Sequence, residues 1–148
     1  MVSEVNKIKL DKVDEKILSE LIIDAKVPLR KLALKLGVSF VTVMNRIKKL
    51  EKEGVIIGYS AKIDYSKLGY GVYSEINLRI SKGKLFELEK KIAKHKNVFA
   101  VYDTTGDFDA TVFCRFKSTR ELDKFVKEVQ TYDFIERTNT KLILNRIK

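Results

Sequence analysis

The spacing of the apolar residues divides this chain into two parts, on either side of a glycine-bearing stretch near residue 70, and that division limits the fold more than any other feature. Up to Gly54 the apolar positions recur at three- and four-residue intervals, the repeat of helices that bury one face. From Val72 onward, stretches alternating every second residue are interleaved with two that keep helical spacing. A helical block followed by strand, helix, two strands, helix and strand is an α+β chain in two parts. The expected division is a domain over 1–64, a linker or hinge over 65–71 where Gly69 and Gly71 break both periods, and a second domain over 72–148.

In the first part, Leu10, Val13, Ile17, Leu18, Leu21 and Ile22 predict a helix over 11–24, with Asp11 at the N-cap and Asp14 three residues on. Pro28 suits the start of a second helix carrying Leu29, Leu32, Ala33 and Leu36 and ended by Gly37. Ser39 can cap a third, in which Val43, Ile47 and Leu50 face inward, ending at Gly54. Two helices joined by a tight glycine turn, the second capped and basic, describe a helix-turn-helix. Residues 55–63 read as two short strands around Gly58, a wing beside the third helix.

Charge sharpens that reading only when it is divided. The net +10 of the whole chain is compatible with nucleic-acid binding and equally with a lysine-coated surface. Residues 1–25 carry 4 basic and 6 acidic groups, net −2, whereas 26–62 carry 9 and 2, net +7. The cations therefore concentrate over the helix-turn-helix. Short polar or forked side chains at the start of a recognition helix reach base edges, and cations around it meet phosphates. Thr42 and Asn45 suit the first role, Arg46 either, and Arg30, Lys31, Lys48 and Lys49 the second, with Ser39 at the cap completing the DNA-binding set. The partner this implies is double-stranded DNA.

In the second part, Val72, Ile76, Leu78 and Ile80 alternate with Tyr73, Glu75, Asn77 and Arg79 in a first strand. A helix over 84–94, strands over 98–105 and 108–116 joined by a tight hairpin at Gly106-Asp107, a helix capped at Ser118 or Thr119, and a last strand over 134–147 complete a βαββαβ series. This is the ferredoxin-like arrangement, with both helices on one face of an antiparallel sheet. The other face should be polar if it meets water. Phe113, Ile143 and their neighbours place apolar groups in both registers, so a second copy of the chain is expected to cover it.

The chemistry available is narrow. One cysteine, Cys114, and one histidine, His95, leave no disulfide framework, no Cys/His metal site and no Cys-His or Ser-His-Asp set with spare candidates. Cys114 reads as a core thiol and His95 as a surface or helix-end group. Asp107 and Asp109, flanking Phe108 after Thr104, Thr105 and Gly106, read alone as an acid/base pair, a cation site or, more simply, a solvated hairpin; the whole constellation would instead suit a zwitterion, with carboxylates for an ammonium and hydroxyls and amides for a carboxylate. Neither an enzyme nor a cofactor is expected. The charged start of the chain and the lack of a long apolar run point to a cytoplasmic protein.

Three stretches, Leu10 to Leu18, Ser39 to Ile56, and Thr105-Gly106-Asp107-Phe108-Asp109, together resemble the Lrp/AsnC, or feast/famine, family of transcription regulators in its archaeal form. The resemblance covers nearly the whole chain. It implies a winged helix-turn-helix joined to a ferredoxin-like effector domain, and dimers formed through the sheets that assemble into tetramers or octamers. It also implies an amino-acid effector bound between dimers near Thr104, Thr105, Gly106, Asp107 and Asp109, with Thr138 and Thr140 of the last strand. Phe40 is bulkier than the family's usual residue after the cap. The expected function is sequence-specific DNA binding whose affinity or assembly answers the effector. The alternatives are an effector-independent nucleoid-type DNA binder and a metabolic small-molecule binder that ignores DNA.

Overall fold

Asp11 determines where the first helix begins. Its carboxylate accepts from the amides of Val13 and Asp14, while the Asp14 carboxylate accepts from the Asp11 amide, and α1 runs Lys12–Ile23 from this reciprocal cap. Pro28 leads into α2, Leu29–Leu36, which ends at Gly37 with φ 67°, a left-handed turn that L side chains resist. Ser39 accepts the Thr42 amide at the head of α3, Phe40–Lys52. The computed structural model describes residues 7–81, 83–145 and 147 and divides the chain into two compact units, Met1–Lys62 and Ile63–Lys148.

The first unit closes around Ile17, Leu32, Ala33, Val43, Ile47 and Leu50, all buried, with Leu10, Leu21, Val55 and Ile56 packed against them. The expected wing does not form. The amides of Val55 and Ile56 both turn back onto the Leu50 carbonyl, at 2.9 and 3.1 Å, and finish α3. With those amides committed to the helix end, 57–64 continues without strand pairing among the described residues.

In the second unit Asp64 caps a short 3-10 turn, Tyr65–Leu68, and Gly69 closes it with φ 86°. Residues 65–71, expected as a linker, lie against this unit's own sheet: the Arg115 guanidinium sits 3.4 Å from the Tyr65 ring centroid, and Tyr65 meets Tyr70 edge to face. The strands are β1 (Val72–Ile80), β2 (Val98–Asp103), β3 (Ala110–Phe116) and β4 (Ile135–Ile143), paired antiparallel in the order β2-β3-β1-β4. Between β1 and β2 a single helical turn, α4 (Leu85–Leu88), widens into a π turn over Glu89–Ala93 where one uniform helix was expected. α5, Thr119–Gln130, starts at the Ser118 cap. Both helical segments cover one face, burying Ile76, Leu78, Ile80, Leu88, Ile92, Val112, Phe116, Phe125 and Val129.

Cys114 is fully buried in this core, with its sulfur 3.0 Å from the Ser74 hydroxyl, and burial pushes the thiol's pKa up. His95 is not a bare surface group: its ring packs on Phe125, and Nδ1 accepts the Asn97 amide.

Candidate functional site

Two surfaces collect the residues singled out by the sequence. On the first, α3 buries Val43, Ile47 and Leu50, which leaves Phe40, Val41, Asn45, Lys48, Lys49 and Lys52 exposed on its outer side. Lys48 and Lys49 are exposed on this side, with Lys49 3.9 Å from Glu53. Arg30, on α2, lies over the Phe40 ring at 6.0 Å, and Lys31 is exposed beside it.

Two expected base readers are occupied elsewhere. Thr42 shares a 2.8 Å hydrogen bond with the Ser39 hydroxyl, so both hydroxyls serve the cap. Arg46 does not project from α3 as an available fork. Its Nη1 donates to both Asp11 and Asp14, tying the recognition helix to the cap of α1. The Asp14 side chain is only 3% exposed, and the arginine is its charged partner. Arg46, hydrogen-bonded first to Asp11 and then to Asp14, is held still more firmly protonated than usual; the same guanidinium, ahead of the Asp14 amide, lowers the Asp11 carboxyl to about 2. Arg46, expected to meet either bases or phosphates, acts here as a brace, because its guanidinium neutralises a carboxylate buried inside the bundle.

The sequence reading singled out Phe40 only for its bulk and gave Val41 no role. Phe40 and Val41 are 41% and 55% exposed at the head of α3. The available signal was their place on the helix, off the side defined by Val43, Ile47 and Leu50.

The second surface is the connection between β2 and β3. Asp103 pairs with Ala110, and the Thr104 amide reaches the Asp109 carbonyl, so six residues, 104–109, join the strands where a tight two-residue hairpin was expected. The tight turn fails because Asp109 is engaged by β1: its amide donates to the Leu78 carbonyl, and its Oδ2 accepts the Ile80 amide at 2.8 Å. Arg79 donates 2.7 Å to the Asp107 carbonyl and lies 3.8 Å from Asp109 Oδ2, while Arg137 covers the Phe108 ring at 5.5 Å. Thr104, Thr105, Gly106, Asp107 and Asp109 are thus brought together, with two arginines that the sequence reading did not name. The Thr104 hydroxyl donates to the Phe108 carbonyl and braces the loop.

Thr138 and Thr140 are placed differently. They pair with Leu78 and Ile76, whose side chains face the helices, and Gln130 of α5 donates to the Thr138 hydroxyl. Within one chain they lie on the helix-covered face of the sheet. Arg79 and Arg137, paired across β1 and β4, occupy the other.

These two surfaces coincide with two known domain families. The AsnC-type helix-turn-helix domain matches residues 10–51, and the Lrp/AsnC ligand binding domain matches 72–148. An HTH-type transcriptional regulator of Pyrococcus furiosus is 43% identical over 140 residues, covering 95% of both chains. The HTH-type transcriptional regulator FL11 of the same organism is 36% identical over 135 residues, covering 91% of this chain and 89% of its own. The chain belongs to the Lrp/AsnC family. Among solved structures, Escherichia coli AsnC is 26% identical with a TM-score of 0.87, covering 95% of this chain and 96% of its own. A Neisseria meningitidis regulator in complex with L-Met shares the fold at TM-score 0.90 and 23% identity, covering 95% and 93%. The protein is a DNA-binding transcriptional regulator of the Lrp/AsnC type.

The open face of this Lrp/AsnC sheet carries an aromatic cluster at its β2–β3 side. Phe99 lies 6.4 Å from Tyr73 and 6.3 Å from Phe113, with Tyr102 6.0 Å from Phe113. Phe99 and Tyr102 remain 45% and 58% exposed, more apolar surface than a water-facing sheet normally keeps. Toward the centre of the face, Thr111 donates to Asn77, and Asn77 and Lys141 both donate to Glu75, lowering the Glu75 pKa. Among the described residues there is no cluster of three potential metal ligands and no helix long and apolar enough to cross a membrane. A cleft of about 790 Å³ between the end of α1 and residues 55–62 shares no residue with either surface.

Proposed function

We propose that the chain is a dimeric cytoplasmic regulator that reads a two-fold operator through α3, and that an amino acid held at 104–109 alters its DNA affinity or assembly. The observation that carries this is the exposed stripe Val41, Asn45, Lys48 and Lys52 on a capped helix whose opposite side is core. Asn45 suits a bidentate contact to adenine, and Lys48, Lys49, Arg30 and Lys31 suit phosphates. Ser39 and Thr42 contribute by capping, which fixes where α3 begins. At the loop, the exposed Asp107 carboxylate supplies a partner for an ammonium, and Arg79 with Arg137 supplies cations for a carboxylate. Thr138 and Thr140 enter such a site only through a neighbouring copy. The aromatic open face, buried against a second copy, would make the dimer and present two recognition helices.

The test is genome-wide footprinting of the full chain with and without a mixture of the standard amino acids, paired with a thermal-shift screen. The expected outcome is a set of discrete palindromic footprints that an amino acid strengthens, weakens or redistributes. Discrete footprints with no thermal shift from any amino acid would favour an effector-independent, nucleoid-type role, since a ligand selective for the native state raises its stability.

A further inference from the structure

We infer that α3 reads thymine methyl groups in the major groove through Phe40 and Val41, which makes these two apolar side chains specificity determinants. The inference rests on the DNA-reading role proposed above.

Three observations support it. First, two of the polar groups expected to read bases are engaged within the protein: Thr42 is hydrogen-bonded to Ser39, and Arg46 to Asp11 and Asp14. What remains exposed on the first two turns of α3 is Phe40, Val41 and Asn45. Second, exposing a phenyl ring and an isopropyl group at the head of a helix leaves apolar surface in water unless a partner covers it. A duplex offers one apolar group on the major-groove edge of its bases, the thymine C5 methyl. Third, Arg30 holds a guanidinium over the Phe40 ring. That places a cation beside the apolar contact, where it can meet a phosphate while the ring edge stays turned to the groove. Val41 and Asn45 lie one helical turn apart on the same side, so the methyl contact falls beside the position where Asn45 would meet adenine. The half-site this describes is rich in A·T pairs with thymine at defined positions.

The experiment uses the full chain. A preferred duplex is selected from a random library, and each thymine in one half-site is then replaced singly by uracil, which removes only the methyl group. At one or two positions the replacement should weaken binding about four-fold, the effect of losing one buried methyl contact. In Val41→Ala or Phe40→Ala, the same uracil duplexes should bind as well as their thymine parents. Both changes lie at exposed positions of a helix whose core residues are untouched, and circular dichroism of each variant confirms that the unit is folded. If selection yields a defined sequence yet no thymine is sensitive to uracil, or sensitivity persists in both variants, the methyl reading is overturned while operator recognition stands. If selection yields no preferred sequence at all, sequence-specific recognition fails and the methyl reading fails with it.

Discussion

Each unit sets an arginine against carboxylates at its working surface, and the two clusters differ chiefly in depth. In the helical unit Arg46 bridges Asp11 and Asp14, and the Asp14 side chain is 3% exposed. In the sheet unit Arg79 faces Asp109 across 3.8 Å with both side chains nearly half exposed, at 46% and 43%. A buried carboxylate cannot lose its cation without cost, so the first cluster is part of the fold that presents α3. The second is screened by water and can exchange partners. The same pair of residue types is a buried brace in one place and a water-exposed, exchangeable pair in the other.

The sharpest way to break this comparison is to remove one carboxylate from each cluster. Asp14→Ala deletes half of the reciprocal cap of α1 and the buried partner of Arg46, and should lower unfolding stability by about 2 kcal/mol. Asp109→Ala gives up an exposed ion pair and the acceptor of the Ile80 amide, and should lower it by about 1 kcal/mol, still less than Asp14→Ala. Urea unfolding of both variants at neutral pH, compared at equal chain concentration, measures the difference. Equal losses would mean that depth does not separate the clusters.

DNA binding sharpens the contrast at smaller magnitude. Lys48→Ala should weaken specific and random duplexes by similar factors and reduce the slope of log affinity against log salt by about 1, because one phosphate contact disappears. Arg79→Ala, in the other unit, should leave that slope unchanged. Titrations over a series of salt concentrations distinguish the two. A lower slope for Arg79→Ala would place the sheet unit's loop on the DNA as well.

Most of the architecture was legible in the sequence because the signals were local. Asp11, Ser39 and Ser118 cap the helices they were expected to cap, and the alternation of Val72 to Ile80 gives the strand and its buried face. What escaped was non-local. The spacing within 55–63 resembles two strands, but whether strands form depends on where the amides go, and Leu50 takes two of them. The length of the β2–β3 connection was misread because Asp109 is held by β1, a contact 29 residues away in sequence. The bracing contact of Arg46 escaped for the same reason: its type and position on α3 suit DNA, and only the fold brings it to Asp11, 35 residues earlier. For the candidate site, the cluster 104–109 was legible as a contiguous motif. Arg79 and Arg137 were not, since they reach it through the pairing of β1 with β4.

The smallest expected effect concerns acid, and it again contrasts the two units. Hydrogen bonds from Arg46 and from the Asp14 amide lower the Asp11 carboxyl from its ordinary 3.8 to about 2. A carboxylate whose folded pKa is depressed contributes stability that is present above its unfolded value and is lost as pH falls toward the folded one. The helical unit should therefore lose stability between about pH 4 and about pH 2 as Asp11 takes up a proton. Asp11→Asn, which keeps an N-capping oxygen without the charge, should be less stable at neutral pH and flatter across that window. The corresponding group in the sheet unit is Glu75, lowered first by the Asn77 amide and then by Lys141. Its contribution fades below its ordinary 4.5 by the same sign, and Glu75→Gln should flatten the acid response of the sheet without touching that of the helices. Calorimetry of both variants down the acid range, with near-ultraviolet circular dichroism following the aromatic-rich sheet, assigns each slope to its unit. If Asp11→Asn left the acid slope of the helical unit unchanged, the brace between Arg46 and the α1 cap would not be the charged contact that holds α3 in place.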